Sequence, residues 1–182
     1  MKGGLAAVLS VAAGMAFAAT PLFDFESADE QKSAPHGRGK GYRYGITNLC
    51  ATSGRNAFFL SADKWASGAY EWPSFTLSPS IRDWSGYDRL VLDVFNLGGS
   101  GDLLGIRLAG PDGRTDLGLT RFLPLPAWGH ARWIVDLQYW PKETPPTNIT
   151  RVFLYAHRPE DTHVFLDRFI LLKPGEYLFL EF

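Results

Sequence analysis

Short runs of alternating apolar and polar residues recur along the chain from Pro21 onward, separated by clusters of turn-forming residues. This alternation is typical of β-strands that bury one face. The first run, Phe23-Asp24-Phe25-Glu26, is predicted to be a strand with both acidic residues on one face. Residues 33–44 are rich in Gly, Lys, Arg and His and are predicted to form a loop. Further strands are predicted at residues 57–60, 71–77, 89–95, 104–109, 120–125, 131–137, 151–157 and 164–172.

About nine short strands at this spacing predict an all-β fold of two packed antiparallel sheets. Because successive side chains of a strand point to opposite faces, alternation also predicts which residues share a face. Burial of the aliphatic positions in residues 89–95, 104–109 and 151–157 turns their other side chains outward. We therefore predict that the outer face of one sheet carries Asp93, Arg107, Tyr155 and His157.

The first 18 residues have the pattern of a secretory signal peptide. Lys2 precedes an apolar run over residues 5–17, and the small residues Ala16 and Ala18 flank Phe17 at a cleavage site. A buried N-terminal helix is the alternative, but Gly3, Gly4 and Gly14 suit a helix interior poorly. We predict cleavage after Ala18, a single domain over residues 19–182, and a secreted, periplasmic or cell-surface location.

Composition narrows the range of partners. The chain has 18 basic and 19 acidic residues, so it lacks the basic field that holds nucleic acid. No run after the first 18 residues is long and apolar enough for membrane insertion. The one cysteine, Cys50, allows no internal disulfide. Aromatic residues make up 14% of the chain, which indicates a heavily packed core, exposed stacking surfaces, or both.

Three segments together resemble the galactose-binding-like jelly rolls that occur as carbohydrate-binding modules beside bacterial glycoside hydrolases. They are Phe-Asp-Phe-Glu-Ser at residues 23–27, Asp-Trp-Ser-Gly-Tyr-Asp-Arg-Leu at residues 83–90 and Phe-Leu-Asp-Arg-Phe-Ile-Leu at residues 165–171, with matching strands near 133–137 and 148–152. The resemblance implies a two-sheet antiparallel jelly-roll sandwich over nearly all of residues 19–182. Trp84, Tyr87 and Trp133 adjoin apolar strands and are predicted to pack into the core.

The resemblance also implies a structural calcium ion between the first and last strands. The matching positions are Glu26 and Asp167, and Asp24 lies on the same predicted face as Glu26. Calcium takes six to eight oxygen ligands, and carboxylates are among those it prefers. The alternative is that Glu26 and Asp167 are ordinary charges at strand edges, one of them paired with Arg168 or a loop lysine.

A sugar site needs flat apolar surfaces for the C–H face of a pyranose and a few polar groups for its hydroxyls. One predicted location is the loops, where each aromatic side chain is either a stacking platform or a cover over the core. The loop candidates are Trp65, Trp72, Trp128, Tyr139 and Trp140. The other is the sheet face with Asp93, Arg107, Tyr155 and His157, for which a solvated face with salt bridges is the alternative. Members of the family that the chain resembles use either of these locations, so the resemblance does not choose between them.

Sequence motifs for catalysis are absent. The chain has no Gly-x-Ser-x-Gly and no His-Glu-x-x-His, and no pair among its four histidines has the helical spacing of metal ligands. The resemblance therefore implies a non-catalytic module that binds a polysaccharide or oligosaccharide, with a glycoside hydrolase or surface protein as a further partner. Two alternatives stay open: a protein-interaction or structural jelly roll without a sugar site, and a small hydrolase or lyase that uses paired carboxylates.

Overall fold

The computed structural model describes residues 19–32, 42–64, 74–99, 103–111, 120–139, 146–157 and 160–176. One short helix, α1 (Ala28–Lys32), and a 3-10 turn (Leu137–Tyr139) occur among these residues. The strands are β1 (Thr20–Phe23), β2 (Tyr42–Thr47), β3 (Ala57–Lys64), β4 (Ser74–Leu77), β5 (Arg89–Asn96), β6 (Leu103–Ala109), β7 (Thr120–Pro124), β8 (Gly129–Asp136), β9 (Arg151–His157) and β10 (Glu160–Leu172).

These strands form two antiparallel sheets. The larger, six-stranded sheet has the order β2-β3-β10-β5-β8, with β1 also paired to β10. The smaller, four-stranded sheet has the order β4-β9-β6-β7. From β3 onward the chain crosses repeatedly between the sheets, which is the connectivity of a jelly roll. The predicted all-β, two-sheet antiparallel fold is confirmed.

The core lies between the inner faces of the two sheets. Phe58 of the larger sheet and Phe75 of the smaller sheet meet there, with ring centroids 4.1 Å apart. Trp84 is fully buried, and its indole N–H donates to the carbonyl oxygen of Ile81 at 2.7 Å. Trp133 is buried, and the half-buried Tyr87 packs against the same core. The predicted core positions of these three aromatic residues are confirmed.

The first and second strands differ from the prediction. The opening strand is Thr20–Phe23, because β1 pairs with β10 only as far as Phe23. Asp24 and Glu26 therefore follow the strand, and the left-handed Phe25 between them has φ 60°. The second strand, β2, begins inside the predicted loop. Its apolar residues Tyr44 and Ile46 pack against the core, and Gly45 between them lies opposite Phe59, where a Cβ atom would approach the phenyl ring to 3.2 Å.

In the described part of the chain, no helix has the length and apolar character needed to cross a membrane. The predicted signal peptide, residues 1–18, lies outside the described residues, so cleavage and export stay predictions.

Candidate functional site

The outer face of the smaller sheet brings together residues from three neighbouring strands. Tyr155 on β9 lies opposite Gly105 on β6, and Gly105 in turn lies opposite Phe122 on β7. Two positions along the strands, Arg107 on β6 lies opposite Phe153 on β9. We call this surface of five residues the Phe122 face. Ser74 and Thr76 of β4 extend it, because they pair with Tyr155 and Phe153.

A glycine makes the aromatic packing of this face possible. A Cβ atom at Gly105 would overlap the ring of Tyr155, so the phenol lies directly over the bare backbone of β6. Phe122 meets the Tyr155 ring edge-on, with centroids 5.9 Å apart and an interplanar angle of 87°. Tyr155 is only 7% exposed, whereas Phe122 is 48% exposed. Tyr155 therefore supports the face, and Phe122 presents a ring to solvent.

Arg107 supplies the charge of this face. Burial raises the pKa of Tyr155, and the positive charge of Arg107 opposes that rise only in part. Tyr155 is therefore a neutral phenol near pH 7. The half-buried guanidinium of Arg107 provides planar N–H donors of the kind that bind hydroxyl or carboxylate oxygens. The face thus combines an exposed aromatic ring with a fixed hydrogen-bond donor.

The predicted grouping of Asp93 with Arg107 and Tyr155 is wrong, because Asp93 lies in the larger sheet. Its buried carboxylate accepts two hydrogen bonds from Arg132, at 2.6 and 2.9 Å. Burial alone would raise the pKa of Asp93, but the hydrogen bonds from Arg132 and Thr52 hold it below its ordinary value. Alternation within a strand orients side chains but does not say to which sheet the strand belongs.

The loop aromatics do not form a single site in the described residues. Trp128 is 69% exposed and Tyr139 is 70% exposed. They lie beyond opposite ends of β8, whose eight residues span ~26 Å at about 3.3 Å per residue. Arg121 lies over the ring of Tyr139, 5.9 Å from its centroid. Trp65, Trp72, Trp140 and the side chain of His157 lie outside the described parts of the structure.

Gly105, Phe122 and Phe153 were not among the candidate residues. Phe122 lies in the middle of a predicted strand, but Phe122 and Leu123 are adjacent apolar residues, so the sequence does not say which of them faces outward. Its place on the outer face follows from its pairing with Gly105. Gly105 has no signal in the sequence either, because its role depends on the strand that lies beside it. The sequence places Phe153 on the same face as Tyr155, but its pairing with Arg107 follows only from the register.

The carboxylates predicted to bind calcium, Asp167 and Glu26, hold a loop through hydrogen bonds. Asp167 accepts hydrogen bonds from the backbone N–H groups of Thr52 and Ser53 at 2.7 and 2.9 Å, and from the Thr52 hydroxyl at 3.1 Å. Glu26 accepts hydrogen bonds from the backbone N–H groups of Arg55 and Asn56, both at 2.6 Å. We call these contacts to residues 50–56 the carboxylate clasp.

In this arrangement N–H and O–H groups are partners of the carboxylate oxygens, which leaves fewer lone pairs for a metal. Asp24 accepts the backbone N–H of Glu26 at 3.0 Å and so forms a local turn. Among the described residues, no group of three or more His, Cys, Asp or Glu side chains is placed to hold a metal. In the described part of the chain, the hydrogen-bond partners of Glu26 and Asp167 belong to residues 52–56 and to the backbone of Arg168, and not to a lysine or the Arg168 side chain. Calcium binding stays a prediction.

Fold and site together define a class of protein: the chain has the jelly-roll fold of carbohydrate-binding modules. The family 11 carbohydrate-binding module from Clostridium thermocellum, solved with a β-1,3-1,4-mixed-linked tetrasaccharide, matches with a TM-score of 0.64 at 14% identity, over 87% of this chain and 98% of the module. A family 28 module specific for non-crystalline cellulose matches with a TM-score of 0.57 at 11% identity, over 85% of this chain and 98% of that chain.

An exo-β-agarase also contains a similar domain, with a TM-score of 0.66 at 16% identity. The match covers 86% of this chain but only 25% of the agarase, so this chain spans about a quarter of that enzyme's length. At such identities the likeness concerns the fold. No protein-family model matches the sequence, and neither does any curated protein. The family 11 and family 28 modules are each matched over almost their whole length.

Proposed function

We propose that this protein is a secreted, non-catalytic carbohydrate-binding module that holds a glycan on the Phe122 face. The observation that carries the proposal is the exposed Phe122 ring, supported from below by the buried Tyr155 and flanked by Arg107. The jelly-roll likeness to carbohydrate-binding modules supports it independently.

The chemistry of this face suits a sugar. The C–H face of a pyranose packs on Phe122. The Arg107 guanidinium and the hydroxyls of Ser74 and Thr76 form hydrogen bonds with hydroxyl groups of the glycan. The four strands span roughly 14 Å at about 4.8 Å per strand, so an oligosaccharide that crosses them contacts several strands. Tyr155 contributes by holding Phe122 in place, because its own ring is buried.

Acid–base hydrolysis of a glycan needs two carboxyl groups on either side of the scissile bond. The described strands of the smaller sheet contain no Asp or Glu. This composition favours binding over catalysis on the Phe122 face. Export follows from the pattern of residues 1–18, and N-terminal sequencing of the exported protein should begin at Ala19.

The Phe122→Ala variant tests the site. We expect the protein to be retarded by at least one neutral polysaccharide in affinity gel electrophoresis, and the variant to bind about tenfold more weakly, since stacked rings at such sites contribute at least ~1 kcal/mol. Ile134→Ala is the matched control, because Ile134 is an exposed apolar residue of the larger sheet. The proposal would be contradicted if no plant, algal or host polysaccharide retarded the protein, or if the two variants lost glycan binding equally.

A further inference from the structure

A second surface with the composition of a ligand site lies on the outer face of the larger sheet. It is a pocket of about 440 Å³, which falls within the range of roughly 300–1,000 Å³ typical of small-molecule sites. We call it the Phe59 pocket. Its lining residues come from β2, β3, β10 and the adjoining loops: Arg43, Thr47, Leu49, Phe59, Leu60, Ser61, Leu97, His163 and Phe165.

The floor of the pocket belongs to a row of rings that crosses four strands. Phe59 on β3 lies opposite Phe165 on β10, and Phe165 lies opposite Phe95 on β5. Phe95 in turn stacks on His130 of β8, with ring centroids 4.5 Å apart. Phe59 and Phe165 are only half-buried although they are large and apolar. The exposed side chains of Leu49 and Leu97 line the same pocket, which makes an apolar patch of the kind that marks binding sites.

The other end of the pocket is positively charged and rich in donors. Ser61 lies opposite Arg43 on one side and His163 on the other. The Ser61 hydroxyl and His163 Nδ1 form a hydrogen bond of 2.8 Å, which fixes the orientation of the imidazole. The Arg43 side chain is exposed beside them. None of the lining residues that the structure describes carries a carboxylate, and Arg43 is cationic, so this end of the pocket complements a negatively charged group.

These two ends restrict the chemistry of the occupant. A simple anion would use Arg43 but not the rings, and a purely apolar group would use the rings but not the charge of Arg43. An acidic sugar satisfies both ends, because its C–H face is apolar and its carboxylate or sulfate lies at the edge of the ring. We propose that the Phe59 pocket binds an acidic sugar residue, with the pyranose on Phe59 and Phe165 and the anionic group at Arg43.

This binding is independent of the Phe122 face. The two surfaces belong to the outer faces of opposite sheets, which are separated by a core layer about 10 Å thick. One protein molecule therefore holds two glycan segments at once, one on each side of the sandwich. The proposal goes beyond the function assigned to the Phe122 face and does not depend on it.

Titration of the ¹⁵N-labelled exported protein with three trisaccharides tests the proposal. The probes are trigalacturonic acid, a sulfated galactose trisaccharide and neutral galactotriose. We expect an acidic probe to shift the amide signals of Ser61, Leu97 and His163, and neutral galactotriose to leave these three signals in place. The difference between the two acidic probes shows whether the pocket takes a carboxylate or a sulfate.

Variants distinguish a built site from general charge attraction. Arg43→Gln should weaken binding of the acidic probe by about tenfold, because hydrogen bonds between charged groups contribute at least ~1.5 kcal/mol. Arg82→Gln, at an exposed loop arginine, is the matched control, and Phe59→Leu tests the ring while keeping an apolar side chain. Phe122→Ala should leave this binding unchanged. Equal binding of the neutral and acidic probes, no shift with either acid, or equal effects of the two arginine variants would overturn the proposal.

Discussion

At the scale of single residues, the Phe122 face depends on the absence of one side chain. Gly105 lets the Tyr155 ring lie on β6, and Tyr155 in turn supports Phe122. The exposed ring is therefore held by the backbone of a neighbouring strand rather than by a loop. Such support reduces the freedom of the ring before any ligand binds, which lowers the entropic cost of binding.

Gly105→Ala should disrupt this arrangement. The added methyl group overlaps the Tyr155 ring, so the variant should lose about 1–3 kcal/mol of unfolding free energy, as overpacked sites do. It should also lose glycan binding, because Tyr155 can no longer support Phe122. Gly86→Ala is the matched control, since a Cβ atom there meets nothing within 4 Å. Chemical denaturation of both variants measures the difference, and unchanged stability of Gly105→Ala would contradict the packing described.

A second residue makes stability depend on pH. Burial, a hydrogen bond with Asp24 and repulsion from its charge raise the pKa of Glu30 from 4.5 to about 6. The folded state therefore holds this proton more tightly than the unfolded state does. The resulting stabilisation is complete below pH 4.5 and is lost as the pH rises through 6.

Glu30→Gln imitates the protonated acid, so the variant should not show this loss of stability. Relative to the parent protein, it should gain stability between pH 4.5 and pH 7 in urea denaturation. Asp29→Asn, at the exposed neighbouring position, should keep the pH dependence of the parent protein. If the Glu30→Gln variant keeps the pH dependence of the parent protein, Glu30 does not titrate in this range.

At the scale of elements, the carboxylate clasp joins three segments that are distant in sequence. Glu26 after β1 and Asp167 within β10 both bind residues 50–56, which connect β2 to β3. Left-handed residues border the clasp at Phe25, Cys50 and Arg168. Each such non-glycine residue costs about 1–2 kcal/mol, and the hydrogen bonds of the clasp offset that cost.

Asp167→Asn should loosen the clasp. An asparagine amide cannot accept hydrogen bonds at both side-chain positions, so we expect a loss of about 1–3 kcal/mol of unfolding free energy. Asp83→Asn is the control, because Asp83 is an exposed loop residue that accepts hydrogen bonds from Ser85. Thermal unfolding with and without a chelator decides the calcium prediction. We expect the same Tm in both conditions, and a lower Tm after chelation would instead support a bound ion.

Strand positions were largely predictable at this scale. Residues 89–95, 151–157 and 164–172 are predicted strands, and β5, β9 and β10 cover them. The alternation of apolar and polar residues is a property of the strand itself, so it indicates a strand regardless of which strands lie beside it. The β2 strand was missed because its first residues adjoin a segment rich in Gly, Lys and Arg that is typical of a loop, and the opening strand was misplaced because pairing with β10 ends at Phe23.

At the scale of the whole molecule, the two sheets present different surfaces to solvent. The smaller sheet carries the Phe122 face with Arg107, and the larger sheet carries the Phe59 pocket with Arg43. On each of these two surfaces, paired strands place aromatic rings beside an arginine side chain. The fold therefore offers two independent aromatic surfaces on opposite sides of one core, which agrees with a protein that tethers glycan chains.

The sequence by itself determined the strand-rich character, most strand positions and the packing of Trp84, Tyr87 and Trp133 at the core. These features depend on neighbours within a few residues or on the size of one side chain. Only the tertiary structure decided that Asp93 and Arg107 belong to different sheets, that Gly105 lies under Tyr155, and that Glu26 and Asp167 bind one loop. Those relations depend on which strands pair and in what register, and residues far apart in sequence set both.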